Sequence, residues 1–321
     1  MHYFYYREGN IYSPFSIYLK CNSYNNLSQR GWNMYNLDML NKSNLNEFSN
    51  LNELRFKFNK LNKDFLESYY NLNNVQLLLL RKKLRLLKKE NKYIGYIWLG
   101  NKINNVCKIN SMYIIESSKL LYEYSYLIDN MDVSYPLIYQ CQKNNYNFDI
   151  LSSLGFEKKH GIMEMSQQLK KIKDIYISDD ISFKKFIRGR DEPIRCFIQN
   201  TVFDSKDRLP LRIEDIYYDE MQEYYCEDAS IFMKKGKVYI GYGQIILREG
   251  VPFIVNFGIL PEHQNKGYGT LFLKYLLNLL YKKDKCFVKI NVNPQNYKAL
   301  TLYKRIGFNE DYEKSRWYLS K

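Results

Sequence analysis

The run Ile259-Leu260-Pro261-Glu262-His263-Gln264-Asn265-Lys266-Gly267-Tyr268-Gly269-Thr270 sets two glycines, a hydroxyl and a lysine where a β-rich segment gives way to a helical one. The chemistry this permits is anion binding. The first backbone N–H groups of a helix have no internal partner, and the helix dipole adds about half a positive charge there, so main-chain amides can hold a pyrophosphate. Gly267 and Gly269 allow close approach, Thr270 offers a hydroxyl donor and Lys266 a screening charge. A Rossmann turn needs a third spaced glycine and an acid after the next strand, and a Walker loop needs Gly-Lys-Ser/Thr; neither is here.

A second constellation lies downstream: Asn293, Asn296, Ala299, Tyr303 and Gly307-Phe308. Tyr303 follows Asn296 by seven residues, two helical turns along one face, and a phenol there can donate a proton. The plainer alternatives are an Asn296 that only caps the helix and a Tyr303 that only fills the core of a chain with 32 tyrosines. The six cysteines form no Cys-x-x-Cys pair, which argues against a zinc ribbon or a disulfide framework, and no metal is expected.

The elements that must position these groups follow from periodicity. Ile181–Ile187 alternates as a strand, and Glu192–Phe203 and Arg212–Tyr225 read as helices. Ala229–Lys234 and Val238–Leu247 read as a hairpin turning at Lys235-Gly236-Lys237, with Phe253–Ile259 a third strand. Leu273, Leu276, Leu277 and Leu280 mark one face of a helix over Gly267–Tyr281. Cys286–Val292 is a strand. Asn296–Ile306 is a helix with Asn296 as N-cap, an inner stripe of Ala299, Leu302, Tyr303 and Ile306, and Gly307 as C-cap. Phe308 and Arg316–Leu319 supply closing strands. The expected fold class is α/β, a mixed twisted sheet with helices on both faces.

The N-terminal half repeats parts of this plan. Lys92-Tyr93-Ile94-Gly95-Tyr96 mirrors Val238-Tyr239-Ile240-Gly241-Tyr242, and Leu154-Gly155-Phe156 mirrors Ile306-Gly307-Phe308, at offsets of 146 and 152 residues. Eleven residues before each Gly of the Gly-Phe pair stands an asparagine, Asn144 or Asn296. Two tandem units are expected, 1–172 and 173–321, joined within Gln168–Asp180. The first fifty residues carry little signal.

Gln-x-x-Gly-x-Gly after an apolar-x-Pro turn, followed by Asn-x-x-Ala-x-x-x-Tyr-x-x-x-Gly-Phe, resembles the GNAT superfamily of N-acetyltransferases. The resemblance covers Ile181–Lys321 and is strongest over the last seventy residues. It implies acetyl-CoA as co-substrate, held by Ile259, Leu260, Gln264, Asn265, Lys266, Gly267, Tyr268, Gly269, Thr270 and Asn296. It implies two parallel strands that splay to admit the pantetheine arm along Phe257–Leu260, and a backbone N–H near Leu260 that polarises the thioester carbonyl. It implies Tyr303 as the acid that protonates the departing thiolate. The general base stays open. Where the family often has a carboxylate, on the strand entering the loop, stands Asn256; Glu262, Glu214, Asp215, Asp219, Glu220 and Glu223 are alternatives, and His263 is not favoured. In the N-terminal half, Ile115-Glu116-Ser117-Ser118-Lys119-Leu120-Leu121 has no glycine and Leu151 replaces the tyrosine, so that half is expected to bind no coenzyme and to shape an acceptor cleft or an interface.

The implied reaction is acyl transfer to a primary amine of a small molecule or peptide. A coenzyme-sensing or RNA-associated binding protein on the same fold is the competing expectation. The formal charge of +14 admits a nucleic-acid partner. Abundant Lys, Asn, Ile and Tyr point instead to a general compositional bias, and the densest cluster, Arg81 to Lys89, reads as the solvated face of a core element. Met1–Asn10 has no apolar core before a cleavage site, and the most apolar run, Val75–Leu80, is far short of the ~20 residues that span a bilayer. A cytoplasmic protein without a membrane partner is expected, and its oligomeric state is not legible.

Overall fold

The computed structural model describes residues 34–70, 72–171, 176–205 and 208–320. Cys21, the Met1–Asn10 start, the 172/173 join and Lys321 lie outside the described residues. By contact the chain divides into two compact units. One takes the described residues up to Phe58, Asn62–Ile103 and Cys107–Ser134; the other takes Asn59–Leu61, Asn104–Val106 and Tyr135 onward.

The first unit contains β1 (Tyr35–Met39), α1 (Leu45–Glu53), α2 (Phe65–Tyr69), α3 (Asn74–Arg81), β2 (Leu84–Lys89), β3 (Lys92–Ile103), β4 (Val106–Ile114) and α4 (Leu120–Asp129). Its strands lie in the order β1-β2-β3-β4. Phe48 against Tyr96 and Phe65 against Trp98 meet edge-to-face, each with ring centroids 5.1 Å apart. The basic run falls on α3 and β2. Leu86 and Leu87 pair in regular register with Tyr96 and Gly95, so they face opposite sides of the sheet and both are buried, while the cations beside them stay partly or fully exposed.

The second unit contains β5 (Leu137–Gln142), α5 (Asn147–Ser153), β6 (Glu157–Gln168), β7 (Ile181–Lys185), α6 (Glu192–Val202), α7 (Ile213–Glu220), β8 (Tyr225–Lys235), β9 (Val238–Arg248), β10 (Val251–Ile259), α8 (Tyr268–Tyr281), β11 (Phe287–Val292), α9 (Tyr297–Ile306) and β12 (Asn309–Leu319). Its strand order is β5-β12-β6-β11-β10-β9-β8-β7. Only β10 and β11 are recorded as a parallel pair; the other recorded pairs are antiparallel. The α/β expectation holds: a mixed sheet whose two faces carry separate cores. Alternate residues of β8 divide between them. Ile231 and Met233 join Phe272, Leu273, Leu276 and Leu277 of α8, whereas Phe232 joins Ile198 of α6 and Ile216 of α7.

The contact division falls near Tyr135 because β6 pairs along its length with β11 and β12, which draws β5, α5 and β6 into the second unit. Three local readings need correction. The helix expected over Arg212–Tyr225 is only Ile213–Glu220, because Tyr225 already pairs with Ile246 of β9. The closing segment is one strand, β12. On α9 the buried residues are Leu300 and Tyr303, while Ala299, Leu302 and Ile306 are half-buried.

The repeated motifs occupy matching geometry. A Cβ on Gly95 would come within 2.7 Å of Tyr113 O and one on Gly241 within 2.8 Å of Gly258 O, so both strands need glycine for the same close crossing. Ile115 N donates to Ile94 O and Leu260 N to Ile240 O, each at 2.8 Å. Phe156 N donates to Leu151 O and Phe308 N to Tyr303 O, each at 3.0 Å, behind a left-handed Gly155 or Gly307. Leu151 therefore stands where Tyr303 stands. Asn144 Oδ1 accepts from Asn147 N (2.8 Å) as Asn296 Oδ1 accepts from Ala299 N (3.1 Å), although α5 begins only at Asn147, with Tyr146 as its N-cap, and α9 directly after Asn296.

Candidate active site

Strands β10 and β11 pair only at Phe253 with Lys289 and Ile254 with Ile290. Beyond these two rungs they part. On its other side β10 shifts register against β9 between Val255 and Gly258, with Asn256 in left-handed backbone at φ 52°. Val202 of α6 sits against Gly258 so closely that a Cβ there would lie 2.2 Å from its Cγ1. The parted strands form the walls of a cleft of about 520 Å³, with Val255–Ile259 on one side and Ile290–Asn293 on the other.

One end of the cleft is the start of α8. Gln264 Nε2 donates to Ile259 O (2.9 Å), which latches the loop to the end of β10. Asn265 (φ 60°) and Gly267 (φ 82°) then turn the chain through left-handed conformations. Gly267 caps α8 with no side-chain hydrogen bond, and the first turn holds no acid, so the helix's positive end carries bare amides. At Gly269 an added Cβ would touch only Leu302 Cδ2, at an ordinary 3.5 Å. Internal packing does not require a glycine there, and a backbone bared toward the cleft suits a diphosphate. Arg305 of α9 donates through Nη2 to Thr270 Oγ1 (2.7 Å), bringing a guanidinium to the same mouth.

The other end is formed by α9. Asn296 Oδ1 accepts from Ala299 N (3.1 Å) and so is the expected N-cap, while also lining the cleft. Tyr303 lines it too, its ring packed between Phe257 and Phe308. Burial holds its phenol well above the usual tyrosine value, so the group stays protonated.

Of the residues expected to hold the coenzyme, Ile259, Gln264, Asn265, Gly267, Gly269, Thr270 and Asn296 meet at this cleft with Tyr303. Leu260, Lys266 and Tyr268 do not line it. Leu260 is buried in the α6–α7 core with its N–H already given to Ile240 O, so it cannot polarise a thioester. Lys266 Nζ donates to Glu262 O (2.8 Å), and Tyr268 faces Lys235. Among the open base candidates Glu214, Asp215, Glu223 and Glu262 are exposed. Asp219 is tied into a polar network, and Glu220 is buried, where desolvation and then Glu192 push its carboxyl above the usual range. His263 does not line the cleft. Sequence reasoning missed Val202, Phe203, Lys298 and Arg305 as lining residues. Only the spacing of Arg305 three residues after Leu302, one turn on, could have hinted at its place. Among the described residues no cluster could hold a metal, and no helix is long and apolar enough to cross a membrane.

The profile of the Acetyltransferase (GNAT) family matches residues 199–308. The chain is 31% identical over 75 residues to ribosomal protein bS18-alanine N-acetyltransferase of Escherichia coli (strain K12), and 29% identical over 75 residues to that of Salmonella typhimurium. Each match takes in 23% of this chain and 49% of the relative, so the chain spans about half the length of the curated relatives it matches. The solved structure of a GCN5-related N-acetyltransferase from Sphaerobacter thermophilus shares the fold: TM-score 0.54 at 12% identity, covering 89% of this chain and 95% of that one. Residues 199–308, which hold the parted strands, the glycine loop and the tyrosine helix, match the GNAT acetyltransferase family.

Proposed function

We propose that this chain transfers the acetyl group of acetyl-CoA to a primary amine by direct attack in a ternary complex. The observation that carries the reading is the uncapped, acid-free start of α8 opening on the cleft between β10 and β11, with Tyr303 on its wall. The amides of Gly269 and Thr270, with Arg305 beside them, hold the diphosphate. The pantetheine arm lies along the β10 edge that β11 leaves unpaired after Ile254. Because the Leu260 N–H is committed, the carbonyl oxygen takes its hydrogen bond from the bulged stretch Asn256–Phe257, which is out of register with β9. The neutral amine attacks the thioester carbon, the C–N bond forms, the C–S bond breaks, the leaving sulfur takes the Tyr303 proton, and the proton shed by the nitrogen passes to water, from which the phenol is restored.

The acceptor named for the relatives is a ribosomal-protein alanine, which makes a peptide α-amine the first acceptor to test. Residues 1–172 are the degenerate copy in this proposal: the matched geometry of Gly95, Ile115 and Leu151 supports duplication, and the missing glycines and tyrosine support lost catalysis. Calorimetry with acetyl-CoA and thiol release with an alanine-N-terminal hexapeptide, spermidine and Nα-acetyl-lysine amide test the proposal. Binding with amine-dependent release is expected. Binding without release from any amine would instead support a coenzyme-sensing protein.

A further inference from the structure

Resting on that acetyltransferase reading, we propose that Asn256 is the acceptor-binding residue, and that Arg195 and Asp219 set its orientation through Gln244. A chain of hydrogen bonds leaves Asn256 one orientation. Arg195, buried on α6, can only donate, and the Asp219 carboxylate of α7 can only accept. Arg195 Nη2 donates to Asp219 Oδ2 (2.5 Å) and to Gln244 Oε1 (3.2 Å). Gln244, fully buried on β9, donates through Nε2 to the same Asp219 oxygen (3.2 Å). Its amide can point only one way: oxygen toward the guanidinium, nitrogen toward the carboxylate. Asn256 then has to present its own nitrogen to Gln244 Oε1, which it does at 2.9 Å. Its Oδ1, which accepts no hydrogen bond among the described residues, is left as an acceptor on a residue that lines the cleft.

Neighbouring groups hold the arrangement still. Tyr224 OH donates to the second Asp219 oxygen (2.9 Å), and the guanidinium carbon lies 5.2 Å from the Tyr242 ring centroid and 5.8 Å from that of Phe186. Gln199, one turn beyond Arg195 on α6, is buried with neither amide atom paired among the described residues, so this face keeps further polar capacity. An amide oxygen cannot take up the amine's proton. Asn256 aligns an N–H of the acceptor and leaves the proton to water, which distinguishes this bulge from one carrying a carboxylate base.

The test compares steady-state kinetics of wild type, Asn256→Ala, Gln244→Leu and Gln244→Glu with acetyl-CoA and the same three amines. Asn256→Ala and Gln244→Leu are expected to lower kcat/KM for the preferred amine about tenfold or more through a raised amine KM, with acetyl-CoA affinity changed less than twofold. Gln244→Glu keeps an oxygen toward Arg195 and Asn256 but sets its second oxygen against the Asp219 carboxylate, and is expected to recover only part of what Gln244→Leu loses. An Asn256→Ala enzyme within twofold of wild type on every amine overturns the inference and leaves the acetyltransferase reading standing. So does equal loss of amine and acetyl-CoA binding in Gln244→Leu, the mark of a merely structural role. Wild type that releases no thiol with any amine overturns both.

Discussion

The first turn of α4 carries Glu123, whose fully buried carboxylate accepts from Tyr35 OH (3.1 Å), Lys89 Nζ (3.0 Å) and Ser117 Oγ (2.6 Å). The first turn of α8, at the matching point of the second half, carries no acid, and neither helix has a side-chain cap. Both helices follow a strand end held by the same backbone hydrogen bond, Ile115 N to Ile94 O or Leu260 N to Ile240 O. A helix N-terminus attracts negative charge, and the two halves meet that demand differently. In one, a carboxylate of the chain itself sits in the opening turn; in the other, the proposed function leaves the turn to the diphosphate of the coenzyme. A scaffold can thus keep its packing while its ligand chemistry is supplied by one internal side chain.

The largest expected effect is at the tyrosine helix. Tyr303→Phe should lower kcat about 10²–10⁴-fold with acetyl-CoA affinity kept, read by thiol release and calorimetry. The reverse change, Leu151→Tyr, should confer no second coenzyme site and should cost about 1–3 kcal/mol of stability, because Leu151 is wholly buried. Calorimetry finding two acetyl-CoA sites in that variant would break the comparison. Next is the loop: Gly269→Glu should weaken acetyl-CoA binding about 100-fold through charge repulsion and lost close approach, with little change in Tm since its Cβ meets only Leu302.

A pH profile sharpens the same contrast. Burial raises the Tyr303 phenol, so the acid form prevails below the ordinary tyrosine pKa of about 10. The expected kcat/KM rises to a plateau with deprotonation of the acceptor and shows no falling limb below about pH 10. Stability from this phenol is likewise full below about pH 10 and lost as pH climbs past it, since the unfolded chain ionises first. The smallest effect belongs to the first unit. Glu123→Gln should cost about 1–3 kcal/mol in denaturant unfolding and leave acetyl-CoA affinity unchanged.

Much of this was written in local sequence. The Leu273–Leu280 stripe, the Asn296 and Gly307 caps and the glycine turn at Gly267 depend on contacts within a few residues, so spacing alone fixed them. What the chain order could not reveal was set by pairing across space. β6 lies between β11 and β12 because hydrogen-bond register, not proximity in sequence, chooses a strand's neighbours. The fate of the Leu260 N–H, the arrival of Arg305 at Thr270, and the alignment of Asn256 by a distant Arg–Asp pair are of the same kind. Each depends on which donor meets which acceptor once the sheet is assembled, and that is decided only by the folded geometry.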